Sequence, residues 1–108
     1  MLGFLFGSKK YKSINAQEFK DLQKEKNTIV LDVRSTAEIK EGAVKGNRQM
    51  NVMDPSFRNK ASKLDKSKTY LVYCRSGMRS ARACKMLAKE GIENIYNLKG
   101  GYMAYERD

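Results

Sequence analysis

Two stretches of the chain, "TIVLDV" (28–33) and "TYLVYC" (69–74), place β-branched and apolar residues on consecutive positions without polar alternation. That pattern predicts strands buried on both faces of a sheet. "NIYNL" (94–98) predicts another short strand. Elsewhere apolar and polar positions mix as they do in helices. "NAQEF" begins with Asn15 as an N-cap and has Glu18 three positions later, a capping-box arrangement that opens a helix through about Glu25. A short helix is expected around Thr36 to Glu41 and a brief strand near Met50 to Val52. A helical segment is expected from about Pro55 to Leu64, with Pro55 at its start after Asp54. After Cys74 a helix runs through about Lys89 and is stopped by Gly91. Strands alternating with helices imply an α/β fold, a central, mainly parallel sheet with helices on both faces. In such sheets, sites lie at the carboxyl ends of the strands.

The 108 residues fit one compact domain, expected over 11–108, preceded by an arm over 1–10 that packs on the domain or frays. The arm's apolar patch, Leu2 to Phe6, is too short to span a bilayer or to form the core of a signal peptide. Two cysteines are too few for a disulfide scaffold, so a cytoplasmic setting is expected. Lys and Arg number 22 against 12 Asp and Glu, a net charge of +10 that attracts anions in general. The basic residues are scattered, without aromatic interleaving, which describes a solvated basic surface rather than a specific nucleic-acid site. The chain has no histidine. That excludes Ser-His-Asp and Cys-His catalysis and every His-ligated metal site, so any nucleophile must be activated by other means.

Cys74 ends an apolar run and stands at a predicted strand end. Cys84 falls in the following helix with Ala81, Leu87 and Ala88, at the spacing of a face turned to the core, where it acts as a small buried hydrophobe. A disulfide between them is not expected, because a strand end and a site more than a turn into a helix are poorly placed for a Cα separation of roughly 5–6 Å. A free thiol titrates near about 8.5, so without a base Cys74 needs electrostatic help to become a thiolate. "CRSGMRS" supplies the means: Gly77 allows backbone N–H groups to curl inward as an anion-binding nest, and the loop then feeds a helix N-terminus. Arg75 and Arg79 add positive charge, and Ser76 and Ser80 add hydroxyl donors. The plain alternative is a strand-to-helix turn with two surface arginines.

"VLDVR" (30–34), Glu38 four beyond, "CRSGMRS" and "NLKGGYMAY" (97–105) together give the chain a resemblance, over nearly everything after Lys10, to single-domain rhodaneses, a family of sulfurtransferases. The resemblance implies a compact rhodanese-like domain in which Cys74 takes a sulfane sulfur, becomes a persulfide and passes the sulfur on. It implies that Arg75, Ser76, Gly77, Met78 and Arg79 form a cradle whose N–H groups, with the Ser80 hydroxyl, stabilise Cys74. The arginines should favour a small anionic donor such as thiosulfate and help sulfite leave. The acceptor would be a thiol, free or on a protein, and no metal or organic cofactor is implied.

The chain departs from the family pattern at Ala43, Lys45 and Asn47, where histidine, proline and alanine are common, while Gly42 and Gly46 remain. The lost histidine is usually structural, so local rigidity is the property in question. Tyr105 stands for a usual tryptophan. Met78 puts an apolar side chain in a loop position that is often small or polar, where it would narrow the pocket or favour an acceptor with an apolar surface. Asp32 and Arg34 either reach the pocket or act as scaffold, with Arg34 pairing to Glu38 or to neighbouring backbone. Gly100 and Gly101 form a turn that lets the last helix dock.

Three rival functions are weighed against this one. A phosphatase of the related Cys-x5-Arg type would need arginine at position 80, but Ser80 stands there, Arg79 comes one earlier, and no acid for a leaving group is apparent in the loop. A non-catalytic docking module and a relay that takes sulfur from a protein persulfide are the other two.

Overall fold

The computed structural model describes residues 10–108, so the arm expected over 1–10 lies outside the described residues except for Lys10. Five strands, β1 (Lys12–Ile14), β2 (Thr28–Asp32), β3 (Arg48–Gln49), β4 (Thr69–Tyr73) and β5 (Asn94–Leu98), form one parallel sheet in the order β1-β5-β4-β2-β3. Five helices connect and follow them: α1 (Ala16–Gln23), α2 (Thr36–Lys40), α3 (Phe57–Ser62), α4 (Met78–Lys89) and α5 (Gly101–Arg107). None is long and apolar enough to cross a membrane.

Consecutive residues of the central strands feed opposite cores, which is why their sequences do not alternate with polar residues. Leu31, Tyr70, Val72 and Ile95 pack with Phe57 and Ala61 of α3 and with Ala83, Cys84 and Leu87 of α4. Val30, Leu71, Tyr73 and Leu98 pack with Ala16 and Phe19 of α1, and Tyr102 and Tyr105 of α5 cover that side. Phe19 meets both Tyr73 and Tyr105 edge-on, so Tyr105 does take a packing position in the second core. Its hydroxyl reaches the Gln23 side chain at 3.0 Å.

The predicted capping box at α1 forms: Glu18 N–H donates to Asn15 Oδ1 at 2.8 Å and Asn15 N–H donates to Glu18 Oε1 at 3.1 Å. Three expectations shift. β1 is an additional strand, paired only to β5. The strand expected at Met50 to Val52 is Arg48–Gln49, and the chain then leaves the ladder while Met50 and Val52 N–H donate to the Asp32 and Val33 carbonyls. The helix expected from Pro55 starts at Phe57, because the Asp54 carboxylate accepts from both the N–H and the hydroxyl of Ser56 and keeps Pro55 in a turn.

Candidate active site

Cys74 follows the last residue of β4, the central strand, and so sits at the carboxyl end of the sheet. The loop from Cys74 to Gly77 owes its shape to the turn below it. Gly100, at φ +80°, and Gly101, at φ +61°, start α5 so close to the loop that a Cβ on Gly101 would lie 2.3 Å from the Arg75 carbonyl oxygen. The N–H groups of a helix's first turn have no partner within the helix. Here Tyr102 N–H donates to the Cys74 carbonyl at 2.8 Å and Met103 N–H donates to the Arg75 carbonyl at 3.2 Å. With these carbonyls engaged by α5, the loop's own N–H groups are left for the sulfur.

Gly77 N–H donates to Cys74 Sγ at 3.1 Å and the Ser80 hydroxyl lies 3.4 Å from it. Gly77 adopts φ +111°, a left-handed conformation that favours glycine, and its carbonyl accepts from Ala81 N–H and the Asn97 side chain and lies 3.1 Å from the Ser80 hydroxyl, whose single proton it shares with Cys74 Sγ. Burial pushes the Cys74 thiol up, but the Ser80 hydroxyl and the N–H groups of Ser80, Gly77 and Ser76 outweigh it and hold the thiol below its ordinary value. Cys84 has no such donors, and burial, with a smaller push from the charge of Cys74, moves its thiol far up. Both cysteines are free, as expected.

The arginines divide the expected cradle. Arg79 forms a bidentate pair with Glu38, both contacts at 2.8 Å, and that pairing, helped by the Ser35 N–H and hydroxyl, pulls the Glu38 carboxyl down to about 2 against the effect of burial. Arg75, Ser76 and Met78 are exposed at the rim. The structure therefore brings Cys74, Gly77 and Ser80 together directly and commits the Arg79 fork to a carboxylate.

Asp32 and Arg34 are buried beside the second core, and their hydrogen bonds go to each other, to Tyr73 and to Gly42 rather than to the sulfur. Arg34 Nη2 donates to Asp32 Oδ2 and to the Gly42 carbonyl, both at 2.7 Å, and the guanidinium lies over the Tyr73 and Tyr102 rings. The Arg34 to Glu38 pair raised from the sequence does not form, because Asp32 satisfies Arg34 and Arg79 satisfies Glu38. The scaffold reading of Asp32 and Arg34 is the one the geometry supports. The Tyr73 hydroxyl donates to Asp32 and accepts from Val44 N–H. The Asn47 side chain donates to the Val44 carbonyl at 2.8 Å. Together these bonds anchor the segment around Ala43 without the family's histidine.

Several contributors went unread in the sequence. Glu38 was noted, but its partner was not. Ser35-x-x-Glu38 was a legible capping box at α2, and it forms. Asn97, a polar residue inside an apolar strand run, was the available signal for the donor under Gly77.

The rhodanese-like domain profile matches residues 15–108 of the chain. A sulfurtransferase from Allochromatium vinosum is 33% identical over 81 residues, 75% of this chain and 74% of the relative. A tRNA uridine(34) hydroxylase from Pelagibacter ubique is 35% identical over 101 residues, 91% of this chain but 33% of that protein. Among solved structures, a rhodanese-related protein from Thermoplasma volcanium superposes with a TM-score of 0.78 at 30% identity, covering 90% of this chain and 92% of the other.

Proposed function

The chain belongs to the rhodanese-like domain family, and on that premise we propose that it is a sulfurtransferase working through a persulfide on Cys74, with thiosulfate as a competent donor. The observation that carries this is the Sγ of Cys74, which receives the Gly77 N–H and the Ser80 hydroxyl in a protein with no histidine. Moving sulfur between sulfur atoms needs a stabilised thiolate and leaves little work for a general base.

In the loading step the Cys74 thiolate attacks the outer sulfur of thiosulfate. The new S–S bond forms as the thiosulfate S–S bond breaks, and sulfite leaves with its electron pair. Gly77 N–H and the Ser80 hydroxyl, which hold the thiolate, remain beside Sγ, and exposed Arg75 adds positive potential at the rim where a dianion approaches. In the discharge step an acceptor thiolate attacks the outer sulfur, the persulfide S–S bond breaks, and Sγ recovers the electron pair as a thiolate.

Intact-protein mass spectrometry of the reduced protein before and after thiosulfate tests this. One added sulfur is expected on the wild type and on Cys84→Ala, and none on Cys74→Ser. Sulfur on Cys74→Ser, or no sulfur on the wild type with either thiosulfate or inorganic polysulfide, would overturn the proposal. Loading by polysulfide alone would leave the persulfide and remove thiosulfate as donor.

A further inference from the structure

A groove of about 320 Å³ lies between α4 and the segment that leads into α3, lined by Val52, Met53, Phe57, Arg58, Arg82 and Met86. A second hollow of about 120 Å³ shares Arg58 and Met86 and carries the feature on to Lys89 and Glu90. The groove begins one helical turn from the Cys74 loop, because Met78, Arg82 and Met86 are four residues apart on one side of α4.

Its chemistry is uneven in two respects. Among the described residues the strongly exposed large hydrophobics are Met53, Met78 and Met103, at 62%, 81% and 50%. All three follow the carboxyl ends of strands: Met53 after β3, Met78 after the Cys74 loop, and Met103 in the turn of α5 that bonds Arg75. Scattered surface apolar residues need no explanation, but three methionines around the edge that holds the nucleophile form an adaptable apolar rim.

The charge is the second respect. Arg58 and Arg82 have no carboxylate partner among the described residues, and Arg82 instead touches the Met53 sulfur at 4.0 Å. Asp54 also lines the groove and keeps its charge, bonded to the N–H and hydroxyl of Ser56, so the two arginines face one carboxylate there. Cations beside apolar anchors suit an acidic polypeptide with a few apolar side chains. RNA is the poorer fit, since single strands bind by stacking on aromatic faces and the one aromatic residue here, Phe57, is 1% exposed.

We propose that this groove docks an acidic, apolar-anchored segment of the protein that accepts the Cys74 sulfur. This rests on the sulfurtransferase reading. The acceptor's cysteine would reach the loop while its neighbouring residues lie along α4. Its thiolate attacks the outer sulfur of the Cys74 persulfide, and the proton of the persulfide, where present, stays with the transferred sulfur.

The probe is a synthetic peptide of one cysteine, two leucines and six glutamates, against a counterpart with lysines for glutamates. Binding is read by fluorescence anisotropy on the Cys74→Ser protein, which does not depend on the chemistry, and transfer is read by mass spectrometry from the loaded wild type. At low salt the acidic peptide is expected to bind about tenfold more tightly than its counterpart and to take sulfur correspondingly faster. Arg58→Glu with Arg82→Glu should abolish that preference, and Met53→Gln with Met86→Gln should weaken acidic-peptide binding about threefold or more, while thiosulfate loading and transfer to dithiothreitol stay unchanged. Equal binding of the two peptides, or a preference that survives charge reversal, would overturn the groove. So would an oligouridylate that displaces the acidic peptide at lower concentration than the peptide itself. Peptide discrimination without loading of Cys74 would remove sulfur transfer and with it the acceptor assignment, whereas loading without discrimination would keep the enzyme and remove the groove.

Discussion

Cys74 and Cys84 are both almost fully covered, at 1% and 0% exposed, yet their thiols are displaced in opposite directions. Burial pushes both up. The difference lies in what faces each sulfur: Cys74 receives Gly77 N–H and the Ser80 hydroxyl, while Cys84 packs among Ala83, Leu87, Val72 and other apolar residues. A buried cysteine is therefore reactive or inert according to the donors beside it. Those donors exist at Cys74 because the chain turns there with its carbonyls tied to α5. A helix interior offers Cys84 no such groups, since its N–H donors are already used in the helix.

The comparison breaks most severely at Gly101. A Cβ there would lie 2.3 Å from the Arg75 oxygen and 2.5 Å from the Ser76 nitrogen, at φ +61°, and both are rigid backbone atoms. Gly101→Ala should lower stability by roughly 2–5 kcal/mol in urea denaturation. It should also slow alkylation of Cys74 by iodoacetamide towards that of a simple buried thiol, making Cys74 resemble Cys84. Unchanged alkylation in a folded variant would separate the loop's shape from the turn beneath it.

Cys84→Ser tests the other side. A hydroxyl placed among apolar neighbours without a partner should cost about 1–3 kcal/mol of stability. The rate of sulfur loading in the folded protein should not change. A loss of loading without a loss of stability would mean that Cys84 takes part in the chemistry.

The same contrast explains how much was legible in the sequence. Strands β2 and β4 could be read because burial on both faces writes a nearly continuous apolar run, and β5 because Ile95, Tyr96 and Leu98 still favour a strand around its two asparagines. β1 could not, because two of its three residues are exposed and only its pairing to β5 makes it a strand. The misplaced β3 has the opposite cause: Met50 and Val52 are buried, but they lie beyond the ladder, and apolarity reports burial rather than pairing. The sulfur's ligands could be read because they lie within seven consecutive residues. The Arg79 to Glu38 pair joins positions 41 apart, and the α5 bonds to the Cys74 and Arg75 carbonyls come from beyond the next strand. Local geometry is written in local residue order, whereas Glu38, expected as a partner for Arg34, is taken by Arg79 from 41 positions away.

Ser80→Ala is a smaller intervention on the Cys74 side. It removes one donor to Sγ and leaves Gly77 N–H in place, and the Gly77 carbonyl still has Ala81 N–H and Asn97. A donor to the thiolate favours the charged form, so its loss raises the Cys74 pKa, and the alkylation profile should move to higher pH. At pH 7 the rate should fall roughly threefold to tenfold, matching a hydrogen bond of about 1 kcal/mol. An unshifted profile would assign the whole effect to the backbone.

The smallest expected effect lies in Glu38, which bears on Cys74 through Arg79 and has no path to Cys84. The folded carboxyl is held down to about 2, so the pair stabilises the protein above the carboxyl's unfolded value, and that contribution is lost as pH falls from there through about 2. Both side chains are partly in water, 32% and 27% exposed, so Glu38→Gln should cost only about 1 kcal/mol at neutral pH. The stability gap between wild type and variant should stay constant from pH 8 to pH 5 and close below that, measured by urea denaturation across the range. Reactivity should move the other way. Arg79 also feels the Cys74 thiolate, and releasing its guanidinium from a carboxylate strengthens its pull on that sulfur. Cys74 alkylation at pH 6 should therefore rise, by about twofold for a partly screened charge. A variant less stable and less reactive would show that Glu38 serves the loop by holding Arg79 in place rather than by offsetting its charge.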